Sequence, residues 1–303
     1  MNENLIVINA DLGETRVALV EHNIIVELLV ERRDERSIVG NVYKAKVTRI
    51  LPGMQAAFLD IGLERNAFLH VSDLSHWDDN DLLGTDDNSA DESQDSAPSK
   101  RVSKRTPIRD LIREGDTIIV QVSKAPISTK GARVTTHVSL PGRHLVYMPT
   151  SNRGGVSRRI SDDKERRRLS KVLSRVKPSK GALIARTAAE SAGADSLAAD
   201  ADYLNETWDG IITSYKKKKK TGLLYEELDL PLRVARDRLN DTVREIVVDD
   251  QDYFKKLYDF VDRLVPARLD AIKLYDDDEP VFDAFGIESE IKRALDRRVE
   301  LPS

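Results

Sequence analysis

The chain has no cysteine, which excludes disulfides, thiolate nucleophiles and cysteine-ligated zinc within these residues and agrees with a cytosolic setting. Long apolar runs are missing as well. No stretch approaches the roughly 20 residues that a membrane span requires, and Met1-Asn2-Glu3-Asn4 lacks the basic flank and apolar run of a secretory signal. A cytoplasmic protein without a membrane span is expected. There is no excess of positive charge either: 48 Lys and Arg stand against 52 Asp and Glu, for a net charge of -4. Whole-chain attraction to nucleic acid is thereby excluded, and charge has to be read segment by segment. His22, His70, His76, His137 and His144 show no metal-ligand spacing, and neither a Gly-x-Ser-x-Gly nor a P-loop pattern occurs.

What is present is a chain of 303 residues, 40% of them hydrophobic, long enough for two or more domains with sizeable cores. Runs rich in β-branched residues at 5–10, 16–20 and 24–30 are separated by turn residues, which predicts an antiparallel meander. Three strands cannot close a core alone, so this sheet is expected to pair with something later in the chain. From Val39 an alternating strand with a basic polar face runs to Leu51 and stops at Pro52-Gly53; strands at 54–61, 66–71, 117–122 and 132–139 follow. Five strands with turn signals between them fit an oligonucleotide-binding (OB) barrel over 39–140. An acidic insertion over 77–106 interrupts it, with Asp78, Asp79, Asp81, Asp86, Asp87, Asp91, Glu92 and Asp95 ahead of Lys100-Arg101 and Lys104-Arg105. Its apolar content is too low to pack, so it is expected to be disordered, either as a solvated loop or as an acidic mimic of RNA.

Beyond the barrel, Ser161 opens a basic helix over 162–176, a strand follows at 182–186, and a second helix over 194–218 ends in the run Lys216 to Lys220. That run reads as a solvated helix end or as a phosphate contact. The last third alternates helix (230–239), strand (243–248) and helix (252–264), βαβ-like material able to complete the N-terminal meander and make the first domain discontinuous.

Two constellations suggest chemistry. In an OB barrel nucleic acid lies across one sheet face, with aromatic rings stacking on bases and Lys or Arg following phosphates. Phe58 and Phe68 fall on neighbouring strands, Tyr43 is close by, and Lys44, Lys46 and Arg65 surround them. Alternation alone does not decide whether the phenylalanines face bases or the core, and both readings stand. The second constellation is Gly142 to Pro149 followed by Gly154-Gly155-Val156-Ser157-Arg158-Arg159-Ile160, with Arg186-Thr187 repeating its chemistry. Paired glycines permit close backbone approach, and a hydroxyl, amides and guanidinium forks suit a phosphate monoester; a turn with a salt-bridged surface is the alternative. Asp11, Asp60, Asp249 and Asp250 are available to a metal, and Asp11 with Asp249-Asp250 imitates a ribonuclease H-type pair, although caps and turns use the same residues.

LPGMQAAFLDIGLERNAFLHVSDL in the barrel, LPGRHLVYMPT and GGVSRRI after it, ART at 185–187 and EIVVDD late in the chain, taken in order, resemble the bacterial ribonuclease E/G endoribonucleases over nearly the whole chain. The resemblance implies an α+β multidomain fold: a ribonuclease H-like subdomain without catalytic function, assembled from 1–38 and 220–285, with a five-stranded OB barrel (39–140) and an α/β 5′-sensor subdomain (141–219) inserted into it. Residues 286–303 would begin the connection to a catalytic domain. Position by position, it implies that Phe58 and Phe68 are a base-stacking pair and Lys130 a barrel residue facing RNA, with Tyr43, Lys46 and Arg65 around them. Gly142, Val146, Arg158, Arg186 and Thr187, with Arg159 beside them, correspond to a pocket for a 5′-monophosphate.

The same resemblance implies single-stranded RNA as partner, a role in RNA processing and decay, and a homo-oligomeric full-length enzyme. The family's Mg²⁺ belongs to a DNase I-like domain expected beyond Ser303, so no catalytic or metal residue is assigned within the chain, which is expected not to cleave alone. The long acidic insertion departs from the family pattern. Two other readings stay open: a self-sufficient nuclease using Asp11 with Asp249 or Asp250, and a non-catalytic partner-binding module whose acidic insertion contacts a basic protein or a ribosomal surface.

Overall fold

The structure, a computed structural model, describes residues 4–10, 13–32, 34, 36–74, 106–128 and 130–296. Three strands come first: β1 (Asn4–Ala10), β2 (Glu14–Glu21) and β3 (Ile24–Arg32). Next are β4 (Val42–Leu51), β5 (Ala56–Asp60), β6 (Ala67–His70), β7 (Thr117–Lys124) and β8 (Arg133–Thr135). A mixed stretch holds β9 (Leu140–Pro141), β10 (Leu145–Met148), β11 (Gly155–Val156), α1 (Asp163–Arg175), β12 (Ala182–Ala185), α2 (Ala194–Lys217) and β13 (Gly222–Tyr225). The remaining elements are α3 (Leu230–Arg238), β14 (Val243–Val248), α4 (Gln251–Leu264), β15 (Ile272–Leu274), α5 (Val281–Ala284) and α6 (Ile287–Ala294). The fold is α+β, and it divides into two units, 1–36 with 228–303, and 37–227.

In the first unit the strands lie in the order β15-β14-β1-β2-β3. The β1–β2 and β2–β3 pairs are antiparallel, whereas β14 runs parallel to both β1 and β15. Leu5 to Ile8 of β1 are all buried, the signature of a strand covered on both faces. On one face Val234 of α3 with Leu257 and Val261 of α4 meet Ile6, Ile8, Val17 and Ile246. On the other, Phe282 of α5 and Ile287 of α6 meet Val7, Ala18 and Val247. Residues 287–294 pack on this sheet because α6 carries apolar Ile287 and Ile291 on one side.

The second unit opens with a barrel in which β4-β5-β6-β8-β7 are successive neighbours and β7 returns to pair with β4. This closed five-stranded barrel is consistent with an OB fold. Alternation fills it: Tyr43, Ala45 and Val47 of β4 point inward with Ala57 and Leu59 of β5 and Val120 and Val122 of β7. Residues 222–225, assigned from sequence to the second part of the discontinuous domain, form β13 and pair with β4 along its other edge. The apolar run Gly222-Leu223-Leu224-Tyr225 has its hydrogen-bonding partner there, which corrects that boundary.

After the barrel, a four-stranded sheet in the order β11-β12-β10-β9 is backed by two helices. Leu169 and Val172 of α1 and Leu197, Ala201 and Leu204 of α2 pack on Leu145, Tyr147, Leu183 and Ala185. Asp162, and not Ser161, caps α1, its carboxylate accepting the Lys164 amide at 3.0 Å; the charged side chain suits the positive helix end. Residues 75–105, which hold nearly all of the acidic insertion, lie outside the described residues. No described helix is long and apolar enough to cross a membrane.

Candidate functional site

The outer face of the barrel carries a row of side chains set by strand register. Arg49 on β4 stands opposite Phe58 on β5, Phe58 opposite Phe68 on β6, Phe68 opposite Arg133 on β8, and Arg133 opposite Lys124 on β7. Ala57, Leu59, Ala67 and Leu69 on either side of the phenylalanines are 0% exposed, so the period-2 pleat turns Phe58 and Phe68 outward, where both rings stay partly accessible. Their ring centroids lie 6.1 Å apart with the planes at 68°, an edge-to-face pair whose electrostatics favour that geometry. This settles the question that alternation left open: neither phenylalanine belongs to the barrel core.

Cations frame the pair. Arg49 and Lys124 are exposed. The Arg133 Nε and Nη2 groups donate to one carboxylate oxygen of Asp73 at 2.9 and 2.7 Å, which fixes the guanidinium beside Phe68. Arg65 donates through Nη1 to the Ser128 carbonyl and so ties the loop before β8 to the start of β6. Lys130, exposed, closes a tight bridge with Ile127, and it lies two residues before Ala132, whose carbonyl accepts the Phe68 amide at 2.8 Å. The loop can approach so closely because residue 131 is glycine: a Cβ there would sit 1.9 Å from the Asn66 carbonyl oxygen. Lys46 is exposed on β4, opposite Asp60.

The structure corrects the reading of Tyr43. It is 4% exposed, inside the barrel core with Ala45 and Val47, because odd-numbered residues of this part of β4 face inward; it presents no ring to a ligand. Lys44 is also occupied, donating to the Tyr215 and Lys218 carbonyls at 2.9 and 2.7 Å at the C-terminal end of α2. Within the run Lys216 to Lys220, Lys218 is turned back onto the Leu223 carbonyl at 2.9 Å.

A second cluster forms where β10, β11 and β12 run side by side. Arg186 follows β12, its amide donating to the His144 carbonyl at 2.8 Å and its guanidinium to the Gly142 carbonyl. Ser157 follows β11, its amide bonded to the Ala185 carbonyl at 2.8 Å, and its hydroxyl is 3.4 Å from that of Thr187. Arg158 and Arg159 come next on an exposed turn. Val146, partly exposed on β10, stands one row away, opposite Ile184. Hence Gly142, Arg186 and Thr187 are drawn together with Ser157, Val146 floors the neighbouring row, and the two exposed arginines stand at the rim.

The organiser of this cluster is a residue the sequence does not advertise. Asp200 of α2 is 2% exposed and accepts three successive amides, from Arg143, His144 and Leu145, at 3.0, 2.8 and 2.8 Å. Gly142 is required by the same carboxylate, since a Cβ there would lie 2.5 Å from Asp200 Oδ1. The loop Ser157 to Ile160 is pinned by Arg166, whose Nη1 donates to the Ser157 and Ile160 carbonyls at 2.7 and 3.0 Å. Burial pushes the His144 imidazole below its usual range, against the pull of the Ala188 carbonyl that its Nδ1 meets at 2.8 Å. Hydroxyls, guanidinium groups and a constrained loop in this arrangement suit an anion with several oxygens.

Three of the carboxylates considered for a metal, Asp60, Asp249 and Asp250, accept hydrogen bonds. Asp249 accepts the Asn9 side-chain amide at 2.6 Å and the Ala10 backbone amide at 2.8 Å, and Asp250 caps α4 by accepting the Tyr253 amide at 2.8 Å. Asp60 accepts the Gly62 amide and the Thr221 hydroxyl at 2.8 and 2.9 Å. Asp11 lies outside the described residues, among which no three His, Asp or Glu side chains converge as metal ligands.

The sequence model of the Ribonuclease E/G family matches residues 139–303. Ribonuclease G of Haemophilus influenzae is 40% identical over 299 residues, covering 98% of this chain and 58% of that protein. Ribonuclease G of Escherichia coli K12 is 41% identical with the same coverage, and ribonuclease E of Haemophilus influenzae is 35% identical over 96% of this chain and 29% of its own length. The chain therefore spans 58% of the length of these ribonuclease G relatives. With the family model matching more than half of the residues, the chain belongs to the ribonuclease E/G family.

Proposed function

We propose that this chain is the RNA-binding and 5′-monophosphate-sensing part of an endoribonuclease of the E/G type, acting on single-stranded RNA in RNA processing and decay. The observation that carries the proposal is the register row Arg49–Phe58–Phe68–Arg133 on the outside of a closed barrel. Exposed rings accept unstacked bases without regard to sequence, and flanking guanidinium groups neutralise the phosphates between them. The cluster of Gly142, Val146, Ser157, Arg158, Arg159, Arg186 and Thr187 supports the second half of the proposal: a terminal phosphate monoester offers more free oxygens and more charge than an internal diester, and convergent hydroxyls and guanidinium groups distinguish the two. The strand order of the first unit, antiparallel β1–β3 extended by parallel β14 and β15, supports reading it as a ribonuclease H-like scaffold. In this reading magnesium and hydrolysis belong to other parts of the enzyme.

The test compares binding of 5′-monophosphorylated and 5′-hydroxyl single-stranded RNA to the chain and to Arg186→Ala. A preference for the monophosphate that disappears in the variant is expected; equal affinities throughout would remove the sensing function while leaving the barrel's role intact.

A further inference from the structure

Helix α1 presents a charge pattern that neither the barrel face nor the phosphate cluster uses. Lys164, Arg167, Lys171 and Arg175 recur along one side, all exposed, while Leu169 and Val172 on the opposite side are buried. Among the described residues none of these four cations meets a carboxylate. The helix's acids are elsewhere: Asp162 caps it, Asp163 lies in its first turn, and Glu165 is held by Arg168 at 2.6 and 2.7 Å and by the Ser191 amide at 2.9 Å. Arg168 and, after it, the Ser191 amide hold the Glu165 carboxyl down at about 2, so this acid is committed.

A helix face whose only role is solvation interleaves signs, because opposite charges four residues apart help the helix and like charges hinder it. α4 does so, with opposite charges at the four-residue steps Asp252–Lys256, Lys255–Asp259 and Asp259–Arg263. α1 instead places like charges at both four-residue steps, Arg167–Lys171 and Lys171–Arg175. Residues 152–177 hold ten Lys and Arg against three Asp and Glu in a chain whose net charge is -4.

After its first turn every exposed position of α1 is a cation or a serine: Arg167, Ser170, Lys171, Ser174 and Arg175. An interface with another protein would need an aromatic or aliphatic anchor, which this face lacks. Nucleic-acid backbones are held by Lys, Arg and Ser. At 1.5 Å per residue the row from Lys164 to Arg175 extends about 16 Å, enough for several phosphates.

We propose that this face of α1 is a second RNA surface, which holds the sugar-phosphate backbone of a segment other than the one whose 5′ end enters the Arg186 cluster. It rests on the proposed function, with RNA as the ligand and the Arg186 cluster as the place its 5′ end enters. A strand that begins in the cluster has no nucleotides before its first, so the helix serves a distal part of the same RNA or a neighbouring strand. Binding there is independent of sequence and of 5′ phosphorylation.

The experiment is a salt titration of RNA binding with the full chain and the variant Lys164→Gln/Arg167→Gln/Lys171→Gln/Arg175→Gln, using long and short single-stranded RNAs with 5′-monophosphate or 5′-hydroxyl ends. All four side chains are exposed, and an unchanged circular dichroism spectrum checks the fold. For long RNA, the slope of log affinity against log salt is expected to fall by roughly 0.7 for each phosphate that the variant no longer neutralises, with the monophosphate preference unaltered. Unchanged slope and affinity on long RNA would overturn the proposal. So would competition by poly-glutamate as effective as by RNA of equal charge, which would reassign the face to an acidic polypeptide. Failure of the unsubstituted chain to bind any RNA would remove the parent reading and this one together.

Discussion

The barrel row and the Arg186 cluster are built by opposite means. In the row, each of Arg49, Phe58, Phe68 and Arg133 stands on its own strand, and backbone ladders alone bring them abreast. In the cluster, Gly142, Ser157, Arg186 and Thr187 come from strand ends and turns, and side chains of two helices gather the loops: buried Asp200 holds 143–145 and Arg166 holds 157–160. A surface built on strands is insensitive to any one neighbour. One built on loops depends on a few side chains that gather them, Asp200 for 143–145 and Arg166 for 157–160, and substitutions should expose that asymmetry.

The largest effect is expected inside the barrel, where the row and the core are separated by the pleat. Tyr43→Ala should destabilise the chain by about 3–5 kcal/mol, as truncation of a buried aromatic side chain does, seen as a lower urea midpoint. Phe58→Ala with Phe68→Ala should cost far less stability but reduce RNA affinity by roughly 1–3 kcal/mol per stacked base. If the double variant lost stability as Tyr43→Ala does, while binding RNA as before, the outward assignment of both rings would be wrong.

Next comes the organiser of the cluster. Asp200→Ala leaves three successive amides without their acceptor; two of them are only part-buried, so the lower end of about 1–3 kcal/mol for each unsatisfied donor applies and the loss should be about 3 kcal/mol. Asp200→Asn, which keeps one carbonyl oxygen, should fall between. Preference for a 5′-monophosphate should vanish in Asp200→Ala, while the contribution of Phe58 and Phe68 to affinity persists. A denaturation midpoint equal to that of the unsubstituted chain would mean that water satisfies the loop, and the contrast between the two surfaces would dissolve.

This asymmetry also explains which features are legible in the sequence. The strands of the barrel and the meander, the helices at 163–175 and 251–264 and the strand at 243–248 follow from periodicity and turn residues, because each is shaped by a local pattern. Arg133 is legible in principle, since it precedes the inward Val134 on β8, whereas Arg49 is not: counting by twos from Tyr43, Ala45 and Val47 would turn it inward, and a register shift between Val47 and Arg49 turns it out. Tyr43 misleads, since proximity along the chain says nothing of parity, and residue 43 falls on the inward register. Asp200 and Arg166 give no signal at all. Each looks like an ordinary charged residue of a helix, and its role exists only through hydrogen bonds made across 6 to 57 residues of chain. β13 escapes for a related reason, since four residues carry no period and the strand is defined by its partner β4.

The smallest expected effect is a pH dependence confined to the cluster. His144 has its imidazole pKa lowered, first by burial and then by the neighbouring Arg143 and Arg186 charges, with the Ala188 carbonyl and Asp200 pulling the other way. In the unfolded chain the ring titrates near its ordinary value of about 6.5, so between that value and the lowered one the unfolded state binds more protons than the folded state. Stability therefore rises with pH across that window and is lost as pH falls from about 6.5 through the folded value. Urea midpoints recorded stepwise as pH is lowered from about 7.5 through the ordinary imidazole value of about 6.5 should decline for the unsubstituted chain and decline less for His144→Gln, which cannot take up the proton. Parallel curves for the two proteins would show that the ring charges without penalty, and thus that the loop gathered by Asp200 opens to water as readily as the barrel face does.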